Sequence, residues 1–278
     1  MPHVSGFVDN ASQSAHYALL DVVRQTCLTA GWTVLRYDTA TANHELILRT
    51  TTGAVVGLRT YQDVAADYYN LLAAGMSSYD VAATFDTQPG VVLSGVPAHP
   101  ERIDYWLTVN NKRLVLALKV GGSAYESLYL GQANPYTRPT LYPNPLVVSG
   151  MLDGAAAVRF SDTAHSMGFK GGGTGANGVN NLRLRFGSGW MTPKAWPWVN
   201  NWVCGTAATL KTGDSYPLMP VVLYTAANGL LVELDGVLQI SGVGIGAEDT
   251  LNVGGEDYLV IRDVTRTGAA DYFAMRMD

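Results

Sequence analysis

The feature that most constrains this fold is a series of short β-forming runs from about residue 91 onward. Ile103–Val109 and Arg113–Val120 are apolar runs, and Asn110-Asn111 between them predicts a hairpin turn because Asn tolerates positive φ. Gly-rich stretches separate the further predicted strands: Ala156–Phe160, Leu182–Phe186, Val221–Tyr224, Leu230–Leu234, Tyr258–Asp263 and Tyr272–Met277. Many short strands joined by turns are typical of a β-sandwich or a barrel-like β region.

Two further signals shape the predicted β region. Asp235-Gly236 lies between Leu230–Leu234 and Val237–Ile240, which is a typical hairpin sequence. Gly131–Gly150 carries four prolines, at positions 135, 139, 143 and 145. Proline excludes a helix or a central strand, so this segment is predicted to be an extended Pro-rich arm.

The first 90 residues follow a different pattern. Ser14–Ala30 has apolar residues at helical spacing, with Leu20, Val23 and Cys27 on one face and Gly31 at the end. Three strand-like runs follow, with a turn at residues 51–53 between the last two: Trp32–Tyr37, Glu45–Arg49 and Ala54–Tyr61. A second helix is predicted over Asp63–Ala74, with Asp63 as its cap.

The predicted fold is therefore α+β and β-rich. A small N-terminal α+β unit, residues 1–90, precedes a β-rich assembly region, residues 91–278, although the chain could also form one domain.

Composition favours a protein that is covered by other proteins. Charged residues make up 15% of the 278, against about 25% in typical soluble domains. The net charge is −5 and no Lys/Arg run occurs, which argues against nucleic acid as a partner.

The cysteines and the N-terminus point to a cytoplasmic folding environment. Cys27 and Cys204 form no CxxC or Cys/His cluster, so no metal is expected and two buried thiols are favoured over a disulfide. The first residues lack the basic start and apolar core of a signal peptide. No run approaches the roughly 18 apolar residues of a membrane span. A soluble protein without a cofactor is expected.

Motifs of enzymes are present only in fragments. Residues 173–178 match GxGxxG, but a dinucleotide site needs a strand before the glycines and a helix after them, and here a strand-like run follows. His44-Glu45 resembles the start of a zinc-protease motif, but the second ligand position holds Leu48. Both patterns favour structural roles, a surface loop and a strand.

Two hydrolase hypotheses remain open. Ser161, Asp162 and His165 lie close in sequence, although no GxSxG motif accompanies them. Glu126, Glu233 and Asp235 could supply the carboxylate pair of a glycosidase if folding brought them together. Turn and capping roles are the more common use of such residues, so an enzyme is not expected.

Aromatic residues are the strongest candidates for contacts. Trp190, Trp196, Trp198 and Trp202 fall within thirteen residues. The predicted arm adds Pro135, Tyr136, Pro139 and Tyr142. Trp and Tyr dominate protein interfaces and also stack on sugars, so the cluster could be core, interface or ligand site.

Several segments resemble a family of tailed-bacteriophage virion structural proteins of about this length. The resemblance covers nearly the whole chain and thins between Gly171 and Leu218. The matching segments are Gly31–Thr39, His44–Arg49, Val56–Asp63, Asp67–Gly75, Tyr105–Val120, Tyr125–Gly131, Tyr142–Gly150 and Gly246–Asp278.

The resemblance implies a virion protein of the tail or baseplate that folds in the host cytoplasm before assembly. It implies copies of itself and other virion proteins as partners, and it brings no catalytic residue. The alternatives are a receptor- or carbohydrate-binding tail module that recognises a host surface glycan, a head or neck protein, and a hydrolase.

Overall fold

The computed structural model describes residues 3–136, 145–162, 164–170, 181–187, 189–198 and 218–277. In this part of the chain one α-helix, α1 (Ala15–Thr29), accompanies the strands. The strands are β1 His3–Val8, β2 Thr33–Asp38, β3 Glu45–Arg49, β4 Val55–Asp63, β5 Tyr68–Met76, β6 Val92–Pro97, β7 Ile103–Val109, β8 Arg113–Val120, β9 Ala124–Gln132, β10 Asn134–Pro135, β11 Leu146–Ser149, β12 Leu182–Phe186, β13 Gly189–Met191, β14 Lys194–Trp196, β15 Met219–Thr225, β16 Gly229–Ile240, β17 Thr250–Val253, β18 Glu256–Arg262 and β19 Tyr272–Arg276.

The strands form three antiparallel sheets. Sheet 1 has the order β1-β7-β8-β9-β11-β12-β13, and sheet 2 has the order β14-β15-β16-β19-β18-β17 with β10 added to β16. Sheet 3 has the order β2-β3-β4-β5-β6. The chain passes from sheet 1 to sheet 2 at Ala133, between β9 and β10, and again between β13 and β14. The predicted α+β, β-rich class with a sandwich-like β region is confirmed.

One hydrophobic cluster joins the three sheets and the helix. It includes Leu20 of α1, Leu58 of sheet 3, Leu116 of sheet 1 and Leu223 of sheet 2, all fully buried. Strand β1 also pairs along its whole length with β7, so the first residues belong to sheet 1. The division near residue 90 stays a prediction.

The predicted first helix is confirmed, and its face is the expected one. Leu20, Val23 and Cys27 are each completely buried against sheet 3 and its neighbours. Gly31 follows the helix with φ of +84°, a conformation that glycine adopts without strain.

The predicted second helix, Asp63–Ala74, is wrong. These residues form the turn and second strand of the β4–β5 hairpin, in which Asp63 lies opposite Tyr68. Asp63 accepts a hydrogen bond from the amide of Ala66, so it stabilises a turn rather than a helix start. Strand β5 is buried on both faces, and a continuous apolar run of this kind fits a helix or a strand equally well.

The predicted hairpin turn at Asp235-Gly236 is also wrong, because both residues lie within the continuous strand β16. Glu233 is opposite Val222 but Leu238 is opposite Pro220, so β16 carries extra residues in a bulge at this point. Gly236 has φ of +75° there, and Arg113 occupies the space where a larger residue would place its Cβ.

Two other predicted segments differ from the structure. Ala156–Phe160 forms no strand but an irregular segment held by Asn70, whose side-chain amide donates to the carbonyl of Val158 over 2.6 Å. The predicted arm carries β10 and β11 at its ends, and β11 is a central strand paired with β9 and β12. Pro145 precedes β11, so no proline removes a hydrogen-bond donor from it.

Candidate interaction surface

The outer face of sheet 2 is built from the adjacent strands β14, β15 and β16. Residues alternate between the two faces of a strand, so Ala195 of β14 and Leu223 of β15 point into the core and are fully buried. Their neighbours Trp196 and Tyr224 therefore point outward, on strands that the core holds firmly in place.

Strand register brings the outward side chains together. Trp196 is paired with Val222, and Tyr224 is paired with Leu230 across the hairpin formed by β15 and β16. These four residues line an open depression of about 340 Å³. Leu230 leaves 56% of its surface exposed at the rim of this depression.

A polar edge borders this depression on the β10 side. Tyr136 follows β10, and its amide donates to the carbonyl of Leu231 over 3.0 Å. Its hydroxyl donates to Glu233 Oε2 over 2.7 Å. Burial, together with this carboxylate, raises the pKa of Tyr136 to about 12. Asn134 lies opposite Glu233 and contacts the ammonium of Lys112.

The tryptophans that sequence analysis grouped together have different environments. Trp196 faces outward in the depression, whereas Trp198 is buried and its Nε1 donates to the carbonyl of Ala270 over 2.9 Å. The Trp190 ring lies over Gly75 of sheet 3, and its Nε1 donates to the carbonyl of Gly90 over 2.7 Å. Trp196 is therefore a surface residue, whereas Trp190 and Trp198 connect different parts of the chain.

The arm candidates divide in the same way. Pro135 and Tyr136 lie at the polar edge of the depression, where Pro135 is opposite Val232. Pro139, Tyr142 and Trp202 lie outside the described residues.

Three residues of the depression were not identified from the sequence: Val222, Tyr224 and Leu230. Val222 and Leu230 resembled ordinary β-core residues. Val222 is buried and Leu230 is exposed, and their place in the depression follows from pairing with Trp196 and with Tyr224. One local signal was available in the sequence. Tyr224 and Leu230 lie on either side of the short Ala226–Asn228 turn, which places them on neighbouring strands of one hairpin.

The residues of the first hydrolase hypothesis are not brought together. His165 Nε2 lies 2.9 Å and 3.0 Å from the two carboxylate oxygens of Glu126, and both side chains are buried. Ser161 is exposed, and no hydrogen bond joins it to His165 in the part of the chain that the structure describes. The nucleophile–base contact of a serine hydrolase is therefore missing.

The carboxylates of the second hypothesis have separate partners. Burial raises the pKa of Glu126, which contacts His165. Asp235 accepts hydrogen bonds from Asn110 and from the buried Arg113, and the nearby cations keep the pKa of Asp235 below its ordinary value. Glu233 holds Tyr136 at the edge of the depression. The three carboxylates therefore have three different structural partners.

A histidine cluster lies at the junction of α1 and sheet 3. The ring centroid of His16 is 4.1 Å from that of Tyr17 and 5.4 Å from that of Tyr69, while Tyr17 stacks on His44 at 4.0 Å. His16 is fully buried, and neither ring nitrogen has a hydrogen-bond partner within the described ranges. Burial, followed by repulsion from His44 and His99, lowers the pKa of His16 to about 4.

Over the described residues, no group of three His, Cys, Asp or Glu side chains is arranged to hold a metal ion. No helix in the same residues is long and apolar enough to cross a membrane. Comparison of the sequence with models of protein families found no match, and comparison with curated proteins found no relative.

Proposed function

We propose that this chain is a non-enzymatic structural subunit of a bacteriophage virion, located in the tail or baseplate. It works by symmetric self-association and by docking onto other virion proteins. The observation that carries the proposal is the apolar depression formed by Trp196, Val222, Tyr224 and Leu230 on a rigid sheet face. The resemblance to virion structural proteins gives the setting.

The chemistry of the depression favours a protein partner. Tryptophan and tyrosine supply large contact areas with few rotatable bonds, so ordering them on binding costs little entropy. The surrounding backbone is fixed by strand pairing on both sides of β15, so the surface is formed before a partner arrives. A content of 15% charged residues further lowers the desolvation cost of covering the protein.

A carbohydrate-binding tail module is the second candidate, and one observation favours it. Tyr136 and Glu233 form a polar pair beside the aromatic rings, which could bind sugar hydroxyls. The pair already satisfies itself, however, and the described lining adds only the polar groups of Trp196 and Tyr224. Binding of the isolated protein to a glycan array, lost on Trp196→Ala, would favour this candidate over assembly.

Assembly and folding can be separated with the double variant Trp196→Ala/Tyr224→Ala. Both side chains are partly exposed, so we expect a small change in melting temperature but loss of the oligomer in sedimentation velocity. Tyr37→Ala is the matched control, because Tyr37 is an aromatic residue with 39% exposure on the edge strand β2. An oligomer that survives the double variant would overturn the role of this surface.

A further inference from the structure

We propose that residues 80–83 of one copy of this chain insert into the depression formed by Trp196, Val222, Tyr224 and Leu230 of a second copy. We call residues 80–83 the Val81 loop tip. The inference rests on the proposed self-association and names the occupant of the surface described above.

The Val81 loop tip presents an apolar side chain to solvent. Val81 is 78% exposed, more than any other large hydrophobic residue described, and Ala82 beside it is also exposed. A single exposed valine needs no explanation by itself. Val81 differs from other exposed valines because several side-chain hydrogen bonds fix the backbone around it.

Two side chains bind the backbone of the loop tip from below. Arg36 Nη2 donates to the carbonyl oxygens of Val81 and Ala83 over 3.1 Å and 2.7 Å. Gln88, which is almost fully buried, accepts from the amide of Asp80 and donates to the carbonyls of Asp80 and Ala83. The carbonyl groups therefore face the protein, while the Val81 side chain faces outward.

The base of the loop is fixed as well. Phe85 is completely buried against Ile47 and Met76 on the outer face of sheet 3. Asp86 forms an ion pair with Arg59 at 2.5 Å. A projection fixed in this way loses little conformational entropy when it binds, which is the usual requirement for a good anchor.

The depression and the loop tip are complementary in size and in charge. A volume of about 340 Å³ is near the lower end of the roughly 300–1,000 Å³ found for ligand sites, and it suits a short aliphatic tip better than a helix. Asp80 is exposed at the tip, and Lys194 is exposed beside the depression, where it pairs with Tyr224 across the strands. Opposite charges thus flank the apolar contact on the two sides.

In this contact each copy inserts its Val81 loop tip into one neighbour and receives the loop tip of another neighbour in its depression. A contact between two different surfaces is heterologous, and it produces a ring when the rotation closes. Such a ring has the rotational symmetry expected of a subunit of a phage tail or baseplate.

The test uses the full chain in sedimentation equilibrium. Val81→Asp and Leu230→Asp should each weaken self-association by about tenfold or more, since each places a charge in an apolar contact. An equimolar mixture of the two variants should form dimers and nothing larger, because one loop tip and one depression remain intact. Val64→Asp is the control: Val64 is 69% exposed in the β4–β5 turn and lies outside the contact.

A charge exchange gives a second test. Lys194→Asp should weaken the oligomer, and combining it with Asp80→Lys should restore part of the association, since Asp80 also accepts a hydrogen bond from the Ala82 amide that a lysine does not. Unchanged association of Val81→Asp, together with weaker association of Trp196→Ala, would overturn the loop tip as occupant but leave the proposed surface. A wild-type chain that stays monomeric up to high concentration would instead overturn the proposed self-association.

Discussion

Acidification should destabilise this protein through His16, whose ring is buried without a hydrogen-bond partner in the described structure. The pKa of His16 is lowered from 6.5 to about 4 in the folded chain. As the pH falls through 6.5, the unfolded chain therefore takes up a proton that the folded chain does not. The contribution of the neutral His16 to the free energy of unfolding is fully present above pH 6.5, and it is lost progressively as the pH falls to about 4.

The size of the effect follows from the two pKa values. A difference of one pKa unit corresponds to about 1.4 kcal/mol, so the full loss is about 3 kcal/mol and the loss at pH 5 is about 2 kcal/mol. That is a large part of the roughly 5–15 kcal/mol by which native proteins are stable. His44 acts in the same direction, because burial lowers its pKa too.

The perturbation that isolates His16 is His16→Phe, which keeps an aromatic ring between Tyr17 and Tyr69 and removes the titrating group. Urea unfolding would be measured for both proteins at pH 7.5, 6.0 and 5.0. We expect the variant to gain about 2 kcal/mol on the wild type between pH 7.5 and pH 5. His3→Gln, at an exposed histidine of β1, is the control for replacing a histidine elsewhere on the chain.

Equal pH dependence of the wild type and His16→Phe would contradict a buried, neutral His16. It would mean that the folded protein binds a proton at His16 as readily as the unfolded chain does, and hence that the cluster admits water or rearranges.

Two further substitutions test how the sheets are joined. Arg113→Met should lower the free energy of unfolding by about 1–3 kcal/mol in urea denaturation, because it removes the hydrogen bonds that the buried guanidinium donates to Asp235 and to the Thr108 hydroxyl. Asp235 keeps its contacts with Lys112 and Arg276, so the cost stays below that of an unpaired buried charge, and a cost below about 0.5 kcal/mol would contradict the role of Arg113. Gly75→Val should lower the melting temperature at a cost of about 1–3 kcal/mol, because a Cβ there lies 2.6 Å from the Trp190 ring; an unchanged temperature would show that the ring moves freely.

Local patterns were sufficient to predict elements that local contacts determine. The apolar face of α1 depends on neighbouring residues and is present, and the chain also turns between β7 and β8 at Asn110-Asn111. Neither Asn has the positive φ that the prediction assumed, and the Asn110 side chain instead accepts hydrogen bonds from the amides of Lys112 and Arg113. The Asp235-Gly236 pattern failed because distant contacts decide its conformation. Asp235 binds Arg113, more than a hundred residues away, and the strand continues through the bulge.

The candidate surface shows the same division. Aromatic composition pointed to Trp196 as a contact residue, but it could not separate Trp196 from the buried Trp198. Which face each side chain takes depends on strand register, and register with β15 also places Tyr224 next to Trp196. The exposure of Val81 depends on Arg36, whose role is set by tertiary contacts with a loop more than forty residues away.

The proposed role in the virion is tested by peptide mass spectrometry of purified phage particles from the source culture, with copy number measured against the major capsid protein. A symmetric tail or baseplate subunit should be present at a few to a few dozen copies per particle. Absence from particles, together with abundance in the lysate, would contradict a structural role in the virion.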